Sequence, residues 1–107
     1  MEDIFTFTVN YGKGIGNKTR YKILVSLAEG ERTVGQLAEL VDISQPTASQ
    51  HLKLLKAGHL ITDQKKGQYV FYTLNYDYIL SGLKQLVAGM ESGLDKTIKK
   101  GSYPHER

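Results

Sequence analysis

Residues 33–74 read TVGQLAELVDISQPTASQHLKLLKAGHLITDQKKGQYVFYTL, and the spacing of their apolar residues gives two short helices around a tight turn, followed by a hairpin. Leu37, Ala38, Leu40 and Val41 place a compact apolar stripe on the first helix at the three-and-four spacing a helix face requires. Ala38 is small where a crossing helix must come close. Asp42 falls where the chain has to turn, and a short acidic side chain tolerates left-handed backbone better than most non-glycine residues. Ile43 fills the gap between the helices. Ser44 suits the N-cap of the second helix, and Pro46 falls inside the first turn, where its missing N–H is no loss. From there Ala48, Leu52 and Leu55 face inward, Gln45, Thr47, Ser49, Gln50 and Lys53 face outward, and Gly58 is the expected C-cap.

Leu60 to Gln64 and Gln68 to Leu74 are rich in Val, Tyr, Phe and Thr and flank Lys65-Lys66-Gly67, where glycine supplies the positive φ of a tight loop. Two helices and a basic-tipped ribbon in this order form a winged helix-turn-helix. The expected class is mainly α with a small β-hairpin, about five helices plus a two-stranded wing. A helix start made of hydroxyls and amides is suited to hydrogen-bonding base edges in a major groove. Lysines at a ribbon tip suit a phosphate backbone or a minor groove. The same polar face also fits an ordinary solvated helical hairpin, and lysines at loop tips also serve solubility.

Working outward, Asn17 caps a helix from Lys18 to about Ala28 with Ile23, Leu24 and Leu27 inward, ended by Glu29-Gly30-Glu31. The segment before it has two readings. Phe5, Phe7, Val9 and Tyr11 alternate as in a strand, while Ile4, Thr8, Tyr11 and Ile15 fit a helix. After the wing, Asn75 caps a long helix striped by Ile79, Leu83, Leu86, Val87, Met90 and Leu94; one small domain has little left for such a stripe to cover, so part of it is expected to meet a second copy, the alternative being that it packs wholly within its own chain. Gly82, Gly89 and Gly93 weaken that helix but let a neighbouring backbone approach.

With 107 residues and 40% hydrophobic content, the chain is expected to form one domain with a modest core, a size at which dimerisation adds stability. That domain divides into an N-terminal dimer segment at 3–16, the helix-turn-helix at 33–56, the wing at 60–74, a C-terminal dimer helix at 75–96 and a frayed tail at 97–107. No apolar run is long enough for a membrane span and no signal segment opens the chain, so a cytoplasmic location and no membrane partner are expected. Cysteine is absent, which removes disulfides, thiolate metal sites and thiol redox sensing. No phosphate-binding glycine loop, GxSxG or HExxH occurs, so an enzyme is not expected. The net charge is only +3. Its distribution is more telling: residues 44–72 carry Lys53, Lys56, Lys65 and Lys66 against Asp63, whereas residues 29–42 carry Glu29, Glu31, Glu39 and Asp42 against Arg32.

The run GNKTRYKIL at 16–24, then LAEGERTVGQLAELVDISQPTASQHLKLLKAGHLI and GQYVFYTL, resembles the ArsR/SmtB family of dimeric winged-helix repressors across roughly residues 3–94. The resemblance implies that the first segment is a helix. It also implies a transcription regulator that leaves its operator when an effector binds. Metal-sensing members carry cysteines at places that here hold Thr33 and Gly35, neither a soft-metal ligand. A second family site, on the last helix, corresponds to Asp77, Ile79, Met90 and Gly93, or one residue earlier to Tyr76, Tyr78, Gly89 and Ser92. Both registers lack the ligands, so no metal and no cofactor are expected. His51 sits where the family has a histidine, with a structural or phosphate role; His59 and His105 stand apart from it.

The resulting expectation is a homodimeric, sequence-specific DNA-binding repressor that reads an inverted repeat, dimerising through its first and last helices. Its expected DNA-binding residues are Ser44, Gln45, Thr47, Ala48, Ser49, Gln50, His51, Lys53, Lys56, Lys65, Lys66, Gln68, Lys18 and Arg20. Of these, Gln45, Thr47, Ser49 and Gln50 are the candidates for base edges. If the four lysines, with Lys18 or Arg20, reach phosphates in each subunit, about eight to ten contacts give a slope of log K against log salt of about −7 to −9. The rival reading is a winged-helix protein-interaction or nonspecific nucleic-acid-binding module. Tyr11, Tyr76, Tyr78, Phe5 and Phe7 form either an apolar pocket for a small-molecule effector or plain interface packing.

Overall fold

Side-chain caps set where most of the helices begin. In a computed structural model that describes residues 3–99, with side chains through Gly93, α1 spans Ile4–Ile15, α2 Lys18–Ala28, α3 Val34–Val41, α4 Gln45–Ala57 and α5 Tyr76–Lys99. Asp3, Asn17, Thr33 and Ser44 each accept a backbone N–H of the first turn that follows. Thr33 adds the reciprocal bond of a capping box with Gln36. Asn75 serves α5, accepting from the Tyr78 N–H at 3.4 Å while its amide donates to the His59 carbonyl at 3.0 Å.

The first segment is thus helical, as the resemblance implied and the alternation of apolar residues did not. Its two patterns coexist: Phe7 and Tyr11, four residues apart, stack inside at 5.5 Å, whereas Phe5 and Val9, also four apart, are exposed. The last helix runs past residue 96 to Lys99; the remainder of the expected tail, with Pro104 and His105, lies outside the described residues.

The core is one cluster of Ile23, Leu24, Leu27, Leu37, Leu52, Leu55, Leu60 and Ile61, which draws on α2, α3, α4 and the first wing strand. Leu40 was expected to join it and does not, with 57% of its surface exposed. At 3.6 residues per turn Leu37, Ala38 and Val41 share a face, and Leu40 lies about 100° round the helix from its centre. Asp42 ends α3 in left-handed backbone at φ 61. Gly58 caps α4, but it keeps φ −86 and the left-handed residue is His59 at φ 64. Glycine at 58 serves packing instead, since a Cβ there would stand 3.3 Å from the Cβ of Asn10 on α1.

The wing strands are β1, Ile61–Lys66, and β2, Tyr69–Leu74, paired antiparallel from Ile61 with Leu74 to Lys66 with Tyr69. Lys65 and Lys66 were expected at the tip and are instead the last residues of β1. Gly67 takes φ 63, so a two-residue loop of Gly67 and Gln68 closes the hairpin at once. At Tyr72 the far edge of β2 is also paired, because Arg32 exchanges both backbone hydrogen bonds with it at 3.1 and 2.7 Å.

Tyr78 meets Phe7 edge-on at 5.3 Å, which seats α5 against α1. Gly82 allows this approach, because a Cβ there would collide with the Phe7 ring. Gly82→Ala is therefore expected to lower the melting temperature by roughly 5–15 °C, the usual effect of overpacking in a domain of this size. Differential scanning calorimetry of the variant beside the unaltered protein measures it.

Candidate nucleic-acid interface

The inner face of α4 decides what its outer face presents. Ala48, Leu52 and Leu55 are buried, which turns Pro46, Gln50, Lys53 and Leu54 directly away from the core, with Ser49 and Thr47 on the two flanks. Ala48, expected among the contacts, is 0% exposed and cannot touch a ligand. Its small side chain is what lets α4 sit tightly on the core. Ser44 and Thr47 are bonded to each other, hydroxyl to hydroxyl at 2.8 Å, and the Thr47 N–H donates to Ser44 Oγ at 3.2 Å. Gln45 lies on the flank toward α3, where a Cβ at Gly35 would come within 3.3 Å of its amide nitrogen. Among the described residues, the side chains of Gln45, Ser49, Gln50 and Lys53 have no intramolecular hydrogen-bond or ionic partner, so their donors and acceptors are open to an external ligand.

The basic residues divide into committed and open ones. Lys56 Nζ donates to Asp63 at 2.9 Å, and the Asp63 carboxylate raises the lysine above its usual pKa. Lys66 Nζ lies 2.8 Å from Glu31 and 5.5 Å from the Phe71 ring centre. Lys18, Lys53 and Lys65 are exposed with no partner among the described residues. Strand alternation separates the two wing lysines. Lys65 shares the face of Ile61 and Asp63, the side on which Asp63 meets α4, whereas Lys66 shares the opposite face with Gln64. Only Lys65 therefore extends on the same side as the recognition helix. Gln68 is exposed at the loop.

Arg20 and His51 are not simple surface groups. Arg20 Nε and Nη2 donate to the Lys13 carbonyl at 3.0 and 2.8 Å, and Nη1 stands 3.5 Å from His51 Nδ1. Neither contact was legible from spacing, since each joins residues on different helices. The aromatic residues also separate: Phe7, Tyr11 and Tyr78 pack together, Tyr76 donates its hydroxyl to the Ala28 carbonyl at 3.2 Å, and Phe5 is 79% exposed. A cleft of about 440 Å³ remains between α1 and α5, lined by Phe7, Tyr78 and Gly82 among others. Among the described residues no group of three His, Cys, Asp or Glu side chains is gathered to hold a metal, and no helix is long and apolar enough to cross a membrane.

Comparison with known proteins agrees with this geometry. The family model for bacterial regulatory proteins of the arsR family matches residues 17–62. The transcriptional repressor SdpR of Bacillus subtilis is 37% identical over 84 residues, covering 78% of this chain and 93% of its own. The structure of HlyU from Vibrio cholerae superposes with a TM-score of 0.67 at 34% identity, over 80% of this chain and 94% of that one. The homodimeric winged helix-turn-helix DNA-binding domain of Mb0332 from Mycobacterium bovis superposes over 97% of this chain and 91% of its own, with a TM-score of 0.66 and 26% identity.

Burial first, and the Arg20 guanidinium second, hold the His51 imidazole below its ordinary pKa of 6.5. The unfolded chain then binds this proton more readily than the folded one. The His51 contribution to stability is accordingly whole above pH 6.5 and is lost as pH falls through the lower native value. Urea unfolding at about pH 7.5 and about pH 5.5 is expected to show that loss, and His51→Gln to remove the His51 share of it.

Proposed function

The chain belongs to the ArsR family of bacterial regulatory proteins, and from that membership we propose that it is a homodimeric, sequence-specific DNA-binding repressor acting in the cytoplasm. The observation that carries the reading is the outer face of α4. Its amides, hydroxyl and lysine are unpaired and exposed beside the Ser44-capped helix start, and Lys65 stands on the same side of the wing. A row of this kind fits the major groove, with Gln45, Thr47, Ser49 and Gln50 toward base edges and Lys18, Lys53 and Lys65 toward phosphates. Lys56 and Lys66 stand behind them, tied to Asp63 and Glu31.

Dimerisation is supported by the apolar residues that the chain leaves uncovered. Phe5 and Val9 on α1, with Leu80, Val87 and Met90 on α5, are all more than half exposed. A second copy seated there places two recognition helices about one duplex turn apart, roughly 34 Å, and hence on an inverted repeat. The Mb0332 domain, homodimeric by its name, has the same fold over nearly the whole of this chain.

Fluorescence anisotropy with the chain's own upstream DNA and a scrambled duplex, at two salt concentrations, tests the reading. Selective binding that weakens steeply with salt is expected; equal, weak binding to both duplexes overturns it in favour of an interaction module. Gln45→Ala with Ser49→Ala is expected to erase selectivity and keep the nonspecific component. Lys65→Ala should flatten the salt slope by about two in a dimer, one phosphate per subunit, and Lys66→Ala should leave it nearly unchanged. Sedimentation equilibrium addresses assembly separately. Val87→Asp with Met90→Asp is expected to give a monomer with native far-UV circular dichroism and no selective DNA binding.

A further inference from the structure

Arg20 is the third residue of α2, and its own N–H is bound by the Asn17 cap at 2.9 Å, so its side chain leaves from a fixed point. A cation in the first turn of a helix faces the positive end of that helix's dipole, an unfavourable place for it. The guanidinium reaches instead to the end of α1, where the Lys13 carbonyl is among the last four and has no partner within the helix. The fork of Nε and Nη2 closes on that one oxygen. The remaining arm, Nη1, meets His51 in the middle of α4. Arg20 thus joins the helix that seats α5, through Phe7 and Tyr78, to the helix that carries the exposed polar row.

The contact also bears on which nitrogen of His51 holds the proton. A guanidinium only donates, so a neutral His51 ring that accepts from it at Nδ1 carries its proton on Nε2. Nε2 has no partner among the described residues. Arg20 itself is half-buried beside a cleft of about 180 Å³ between α1 and α4, lined by Asn10, Lys13, Gly14, Leu54 and Gly58 among others.

We propose that Arg20 is a positioning residue and not a phosphate ligand: it clamps the end of α1 to α4 and fixes His51 as the Nε2–H tautomer, so that His51 offers its outer N–H to the DNA backbone. This deepens the DNA-binding reading and rests on it.

The two roles for Arg20 separate in the salt dependence. Taking one phosphate-bound cation away from each subunit of a dimer makes the slope of log K against log salt shallower by about 1.8, whereas removing a clamp lowers affinity at unchanged slope. Arg20→Met is expected to weaken operator binding by about tenfold to a hundredfold with the slope kept. Arg20→Lys keeps the charge but cannot span Lys13 and His51 together, and is expected to weaken binding as much. Nitrogen-15 NMR of the free protein should show His51 as Nε2–H, with Arg20→Met mixing the tautomers and raising the His51 titration midpoint. A shallower slope in Arg20→Met, full affinity in Arg20→Lys, or an Nδ1–H tautomer in the unaltered protein each overturns the proposal. The tautomer is read without DNA, so failure of the DNA-binding reading and failure of the clamp give different results. Should Arg20→Met not fold, Arg20→Lys and the tautomer decide alone.

Discussion

The seating of α4 on the core is the constraint from which the rest of the surface follows. Ala48, Leu52 and Leu55 are buried, the two leucines within a cluster that includes Leu37 of α3 and Ile61 of β1, and a helix so held has one rotation about its axis. That rotation alone determines that Gln50 and Lys53 face outward and that His51 reaches Arg20. Removing a methyl group from Leu52 or adding one at Ala48 acts on the outer face through this seat, because close-packed interiors transmit changes in volume. Neighbouring devices maintain the same alignment: left-handed Asp42 brings the chain round from α3, and Ser44 fixes the residue at which α4 begins.

Much of this frame was legible in the chain, and the physics explains which parts. The helices α2 and α4 carry local signals, a capping side chain followed by apolar residues at three-and-four spacing, and both run as expected. Asp42 was legible for the same reason, since the turn demands a backbone conformation that few residues tolerate. The first helix was not legible from periodicity, because Phe5, Phe7, Val9 and Tyr11 satisfy a strand and, taken in pairs four apart, also a helix. The pairing of Arg32 with Tyr72 leaves no trace at all, being made by backbone atoms of residues distant in sequence.

The candidate interface was legible in its residue types and less so in its electrostatics. Counting lysines treats Lys56 and Lys66 as equals of Lys53 and Lys65. Folding brings Asp63 and Glu31 against the first two, and these ion pairs bridge separate parts of the chain. The positive charge open to a partner is thus smaller than the composition of residues 44–72 implies, and it is concentrated on one side. Exposed pairs of this kind contribute little to stability. Their larger effect is to narrow the surface over which an anionic ligand gains from binding.

Arg32 also changes the standing of β2 within the wing. With the Arg32 backbone bonded to both the N–H and the carbonyl of Tyr72, the outer edge of β2 is closed at that residue, whereas β1 keeps an open edge. Such an edge invites a strand from another molecule to add on, the first step of aggregation. Here that edge carries Asp63, Lys65 and Lys66, charges that a foreign strand would have to meet. Charge along that edge thereby opposes joining of one chain to another through their wings.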